Sequence, residues 1–196
     1  MAGQPEGIID QQDEADGPLV AGAVTGDAEA FRTLVERHQR RILALLQRLC
    51  GCPEQALDLA QETFLAAHRH LASFRQESRF STWLHAIAVN QARAAARRHR
   101  PVASLDAAGP EGRSQAAEPE AAGPAVSAGL EREELAARIS SGLDRLDERF
   151  REVVVLADMQ DASYEQIAEI LEIPIGTVRS RLHRGRTELR SILASP

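Results

Sequence analysis

Lysine is missing. All 23 basic residues of this 196-residue chain are arginine, set against 29 acidic ones, for a net charge of −6 and a pI near 5.6. That balance excludes a protein coated all over by nucleic acid, so any basic surface must be local. Basic residues are also missing from the N-terminal stretch: none precedes Arg32, whereas Glu6, Asp10, Asp13, Glu14, Asp16, Asp27 and Glu29 do. Arginine offers a rigid fork suited to phosphates and guanine edges. Its exclusive use also fits GC-rich coding in an Ala-rich chain. No apolar run reaches the roughly 18 residues of a membrane span. The acidic N-terminus lacks the apolar region of a signal peptide, so a cytoplasmic protein without membrane insertion is expected. Strand-like alternation is absent too, which points to an all-α fold.

Cysteine is scarce. Cys50 and Cys52 leave one residue between them, which rarely permits an intrachain disulfide, and the cytosol would reduce one. His68 and His70 are the nearest candidate co-ligands. On a helix starting at Pro53, His68 lies about 24 Å from Cys52 at 1.5 Å per residue, which excludes a compact Cys/His site within that helix. Two small apolar residues at a helix end are the simpler reading. No cofactor or metal is expected.

Four segments follow from composition. Residues 1–25 are acidic and Gly-rich, without a sustained period, and are expected to form a flexible tail. Residues 26–100 carry three helical patterns. Asp27 can cap the first, whose stripe is Phe31, Leu34, Val35, Ile42, Leu45, Leu46 and Leu49, ending near Gly51. Pro53 suits the first turn of the second. That helix buries Ala56, Leu59, Ala60, Thr63, Phe64 and Ala67, with Asp58, Gln61 and Glu62 on a separate polar face. Ser81 is expected to cap the third, with Trp83, Leu84, Ile87 and Ala88 inward and an arginine cluster, Arg93, Arg97, Arg98 and Arg100, at its end. Residues 101–130, rich in Ala, Gly, Pro, Ser and Glu, read as a flexible linker. Residues 131–194 resume helical patterning with Leu135, Ile139, Leu143 and Leu146, then Phe150, Val153, Val154 and Leu156. The expectation is two small helical domains on a tether.

The run from Ser163 to Arg186 reads as two short helices and a tight turn. Ser163 and Gln166 fit a capping box. Ile167, Ala168 and Leu171 face inward, and Pro174 cannot continue the first helix. Gly176 suggests close approach at the start of the second helix, anchored by Val178 and Leu182. Thr177, Arg179, Ser180, Arg181, His183 and Arg184 are left outward, where a helix-turn-helix presents its second helix to the major groove. A solvated basic helix is the competing reading.

The strings Asp58-Leu-Ala-Gln-Glu-Thr-Phe64 and Phe74-Arg-Gln-Glu-Ser-Arg-Phe-Ser-Thr-Trp-Leu-His-Ala-Ile-Ala-Val-Asn90 resemble the second conserved region of bacterial RNA polymerase sigma factors. Ile173-Pro-Ile-Gly-Thr-Val-Arg-Ser-Arg-Leu-His-Arg-Gly-Arg186 resembles their fourth region. Order and linker resemble the extracytoplasmic-function subfamily. The resemblance implies a non-enzymatic subunit that brings core polymerase to promoters and helps melt them. It implies that Asp58, Gln61 and Glu62 dock on the clamp helices of the largest catalytic subunit. The same resemblance implies that the second-largest subunit's flap is a further contact. Ser73, Phe74, Arg75, Gln76, Glu77, Ser78, Arg79 and Asn90 would hold a base flipped from the −10 element, with Arg93, Arg97, Arg98 and Arg100 on nearby phosphates. Arg179, Ser180, His183 and Arg184 would read the −35 element, with Thr177, Arg181 and Arg186 on phosphates. An anti-sigma factor is the implied regulator. The chain departs from the family at Ala94, where Asp is frequent, and at Glu172, where Gly is frequent.

Two other functions fit parts of the pattern. A stand-alone helix-turn-helix regulator would bind duplex DNA by itself, as a dimer on a palindrome. A nuclease could use Asp58, Glu62 and His68, but no second acidic cluster accompanies them.

Overall fold

The computed structural model describes residues 16–74, 78–99 and 124–194, and every regular element among them is helical. In chain order these are α1 (Gly17–Val24), α2 (Ala28–Cys50), α3 (Pro53–His70), a 3-10 turn (Leu71–Ser73), α4 (Phe80–His99), α5 (Pro124–Asp144), α6 (Glu148–Asp158), α7 (Tyr164–Leu171) and α8 (Ile175–Ala194). The all-α expectation holds. The expected tail and linker fall partly outside the described residues, at 1–15 and 101–123.

Asp27 caps α2 as its sequence position suggests: Oδ1 accepts from the backbone N–H of Glu29 at 2.9 Å and of Ala30 at 3.2 Å. Leu34, Ile42, Leu45 and Leu46 are fully buried along one stripe of α2, each contributing roughly 1.5–3 kcal/mol of hydrophobic stabilisation. The stripe meets Ala56, Leu59 and Ala67 of α3 and Leu84, Ala88 and Val89 of α4. The helix stops at Gly51, whose φ of 67° lies in the left-handed region and whose N–H returns to Gln47 O. A Cβ at Gly51 would also sit 2.7 Å from Asp144 Oδ1, a side-chain tip that could turn aside, so the left-handed φ is what asks for glycine here.

The tail expectation over residues 1–25 needs correction. Gly17–Val24 is the helix α1, with Pro18 in its first turn and Val20 in the core. What holds it is polar. The Asp16 carboxylate, 1% exposed, meets His38 Nε2 at 2.6 Å and accepts from Arg37 Nη1 at 3.0 Å. An acidic residue that seemed to belong to a solvated tail is therefore an anchor in the core.

Ser81 does not cap α4. The helix begins at Phe80, two residues earlier than a Ser81 cap implies, with Arg79 O accepting from Trp83 N–H; Ser81 is buried in the first turn. Likewise α5 begins at Pro124, inside the expected linker, and Leu135 is exposed rather than part of the buried stripe that Leu143 and Leu146 form.

Helix α6 is enclosed. Glu152, Val153, Val154, Val155 and Leu156 are all buried, and five successive helical residues sweep a full turn. A turn buried all round must have neighbours on every side. Here α7 and α8 cover one side and α2 the other. Gly185 of α8 lies against it so closely that a Cβ would sit 2.8 Å from Val154 Cγ2 and 3.3 Å from Phe150 O.

Candidate nucleic-acid interface

The helix-turn-helix is α7, a turn and α8. Its capping box is complete: Ser163 Oγ accepts from Gln166 N–H at 3.2 Å, and Gln166 Oε1 accepts from Ser163 N–H at 2.8 Å. The turn runs through Glu172, at φ 55° and ψ 45°, and Ile173 N–H closes back on Ala168 O at 3.0 Å. A non-glycine residue in this region is strained by about 1 kcal/mol, which is the physical content of the Glu172 departure. Pro174 both ends the first helix and opens the second, its carbonyl accepting from Thr177 and Val178.

Val178, Leu182 and Gly185 bury one edge of α8. Arg179, Ser180, His183 and Arg184 are exposed on the opposite side, with Thr177 and Arg181 half-buried beside them. Among the described residues no acidic side chain pairs with Arg179, Arg181 or Arg184. Three guanidiniums thus share a face with nothing to neutralise them. Arg186 differs, since its Nε donates to Asp158 Oδ2 at 3.0 Å and Nη2 pairs with Oδ1. That pairing holds its charge form above even the usual arginine range. Gly176 also departs from expectation: no atom lies within 4 Å of where its Cβ would be, so protein packing does not demand glycine there.

In the first domain, Asp58, Gln61 and Glu62 are exposed together on α3. Beside them runs an open apolar groove of about 910 Å³ between α2 and α3, lined by Phe31, Val35, Leu43, Phe64, Leu65 and Gln61. Leu57 and Leu65 stand 52% and 62% exposed at its edge, an apolar display that the polar triplet had not signalled. His68 packs edge-on against Phe31 with ring centroids 4.8 Å apart. Among the described residues no three His, Cys, Asp or Glu side chains group to hold a metal. Burial and the neighbouring Cys52 push the Cys50 thiol up to about 11, so it is no ready thiolate.

The expected base pocket is described only in part, because Arg75, Gln76 and Glu77 lie outside the described residues. Phe74 is half-buried, its ring 4.9 Å from Trp83 and 6.1 Å from Phe80. Ser73 Oγ donates to His70 O. Ser78 is half-buried, whereas Arg79, Asn90, Arg97 and Arg98 are exposed. Arg93 is engaged instead by the second domain: Nε and Nη2 donate to Glu152 Oε1 and Oε2 at 2.6 and 2.7 Å. Sequence alone held no signal for that pair, whose members are 59 residues apart.

Family models for sigma-70 region 2 and sigma-70 region 4 match residues 34–102 and 136–189. The ECF RNA polymerase sigma factor SigW of Bacillus subtilis is 37% identical over 170 residues, covering 86% of this chain and 91% of its own. The chain belongs to the extracytoplasmic-function sigma factors. The RNA polymerase sigma-H factor of Pseudomonas aeruginosa is 37% identical over 186 residues, covering 92% and 94%. Among solved structures, CnrH in complex with the cytosolic domain of CnrY matches with a TM-score of 0.67 at 32% identity, covering 91% and 97%. The sigma factor RpoE of Bartonella quintana, solved with the anti-sigma factor NepR, matches at 0.66 and 26% identity, covering 86% and 99%. This sigma factor is an alternative initiation subunit that works with core RNA polymerase and promoter DNA.

Buried His85 makes its acid behaviour predictable. Nδ1 donates to Ser81 O at 2.6 Å and Nε2 lies 3.5 Å from Gln160 Oε1. Burial pushes the imidazole below its usual range, with His38 and Arg41 adding to the effect. The unfolded chain therefore binds the proton first. Stability should be constant well above pH ~6.5 and fall as pH drops from there toward the lowered folded value. Thermal melts of the sigma factor across that window should show the decline, and His85→Gln should flatten it. A slope identical in wild type and variant would assign the acid sensitivity elsewhere.

Proposed function

We propose that this sigma factor reads the −35 element with the exposed face of α8: Arg179, Ser180, His183 and Arg184 on base edges, Thr177 and Arg181 on phosphates. The observation that carries it is the unneutralised arginine face, fixed by the capping box and by the buried edge Val178–Leu182–Gly185. Arg186 contributes to phosphate binding only by sharing its charge with Asp158. Ser73, Phe74, Ser78, Arg79 and Asn90, with the flanking residues 75–77, hold the flipped −10 base. Arg93, Arg97 and Arg98 lie along the adjacent phosphates. Trapping an unstacked base supplies the few kcal/mol that melting one step requires. Asp58, Gln61 and Glu62 dock on the clamp helices of the largest polymerase subunit, and the adjoining apolar groove enlarges that surface. The second domain meets the flap of the second-largest subunit. An anti-sigma factor holds the protein in check in the cytoplasm. Support for such a partner comes from RpoE, solved with the anti-sigma factor NepR.

Promoter binding by the reconstituted holoenzyme tests the −35 assignment. Arg184→Ala should weaken binding by roughly tenfold, about 1.4 kcal/mol, and relax preference at one −35 position. Arg97→Ala with Arg98→Ala should weaken all promoters evenly and flatten the salt dependence. Unchanged base preference in Arg184→Ala would remove it from the recognition set.

A further inference from the structure

Gly176 has no task in the fold. It is the second residue of α8, its φ lies outside the left-handed region, and no atom comes within 4 Å of where a Cβ would stand. In a helix with room to spare, glycine is the poorer choice, because alanine holds the same backbone at a smaller loss of entropy. The position of Gly176 on α8 says what its bareness serves. Val178, Leu182 and Gly185 form the buried edge. Val178 follows Gly176 by two residues, a little over half a turn, so Gly176 faces away from that edge. Ser180, His183 and Thr187 follow it at steps of four, three and four residues, which stacks all four on one exposed stripe. Arg179 and Arg184 flank this stripe on either side. Gly176 therefore leads the middle line of the arginine face, at the end of the helix that enters a major groove.

We propose that Gly176 is a specificity-determining position, whose missing side chain lets the first turn of α8 come into contact with base edges at one end of the −35 element. Glycine suits places where a backbone must lie directly against its ligand. The middle line of a helix in the major groove faces the groove floor, and its flanks face the sugar–phosphate walls. A methyl on the middle line would hold the helix off the floor by about a bond length. Hydrogen bonds weaken beyond about 3.2 Å, so that shift would loosen the base contacts of Arg179 and Ser180 too. The inference rests on the reading that α8 recognises the −35 element.

Reconstituted holoenzyme on two promoter duplexes tests it, one with an intact −35 element and one with that element scrambled. Gly176→Ala should weaken binding to the intact promoter about tenfold, the scale of one base contact, and Gly176→Leu should weaken it further. Binding to the scrambled duplex should change little in either. Hydrogen exchange of the free protein should show α8 at least as protected as in wild type, and up to about fivefold more, because alanine and leucine are both better helix formers. A glycine kept for folding would not give tighter structure with poorer recognition. The inference is overturned if both variants discriminate the two duplexes as wild type does while Arg184→Ala does not, or if α8 loses protection together with binding. Equal losses on both duplexes would place Gly176 against a sugar–phosphate wall and overturn its role in specificity. Unchanged −35 preference in Arg184→Ala as well as in both glycine variants would show instead that the reading of α8 itself has failed.

Discussion

Gly185→Val should cost the second domain about 3 kcal/mol, the upper part of the usual range for overpacking. The position looks permissive in sequence, a glycine in an exposed arginine-rich run. In the fold it is where α8 crosses α6. The first added carbon would sit 2.8 Å from Val154 Cγ2, 3.2 Å from Phe150 Cβ and 3.3 Å from Phe150 O. A methyl can rotate away, but a backbone carbonyl inside a helix cannot, and valine brings two further methyls. The helix that presents Arg179 and Arg184 would be pushed off its support, so −35 binding should fall with stability. Because the chain holds two domains, hydrogen exchange of the α8 amides is a better measure than one melting temperature. Protection in α8 should drop while protection in α2 and α3 changes little. Wild-type protection in α8 would mean that the two helices do not cross this closely.

Asp16→Ala should destabilise the first domain by about 2–3 kcal/mol, the scale of lost hydrogen bonds to charged groups. The carboxylate is 1% exposed and satisfies His38, itself 2% exposed, together with Arg37. Removing it leaves a buried imidazole without that partner and frees α1 from α2. Chemical denaturation followed by helix signal should show an earlier midpoint, and limited proteolysis should cut within residues 17–24. An unaltered midpoint in Asp16→Ala would return Asp16 to the tail to which its composition assigns it.

These two positions mark where sequence reading stops. Local devices were legible because their signals are local: the Asp27 cap, the Ser163–Gln166 box and the Val178–Leu182 edge all depend on residues within one or two turns. Asp16 was misassigned because burial of a carboxylate is decided by a helix 22 residues away. Gly176, the glycine that the sequence pattern singles out for close approach, has open space around it, whereas the tight crossing is at Gly185, which the pattern does not mark. A turn favours glycine in general, but close helix crossing is a property of the partner helix, and α6 carries no mark of it except five buried residues in a row. The α4 boundary slipped by two residues because serine is a common cap, yet Arg79 holds the cap position and Ser81 lies buried within the first turn. At the site, the outward set on α8 followed from helical period alone. That Arg186 pairs with Asp158 and Arg93 with Glu152 did not, because both partners come from distant segments.

Run-off transcription on fragmented genomic DNA from the source bacterium, with purified core RNA polymerase and with or without this protein, tests the assignment most directly. Discrete new start sites should appear only with the protein present, and the DNA upstream of them should share a −35 and a −10 element. No new transcripts, together with failure to co-elute with core polymerase in gel filtration, would contradict it.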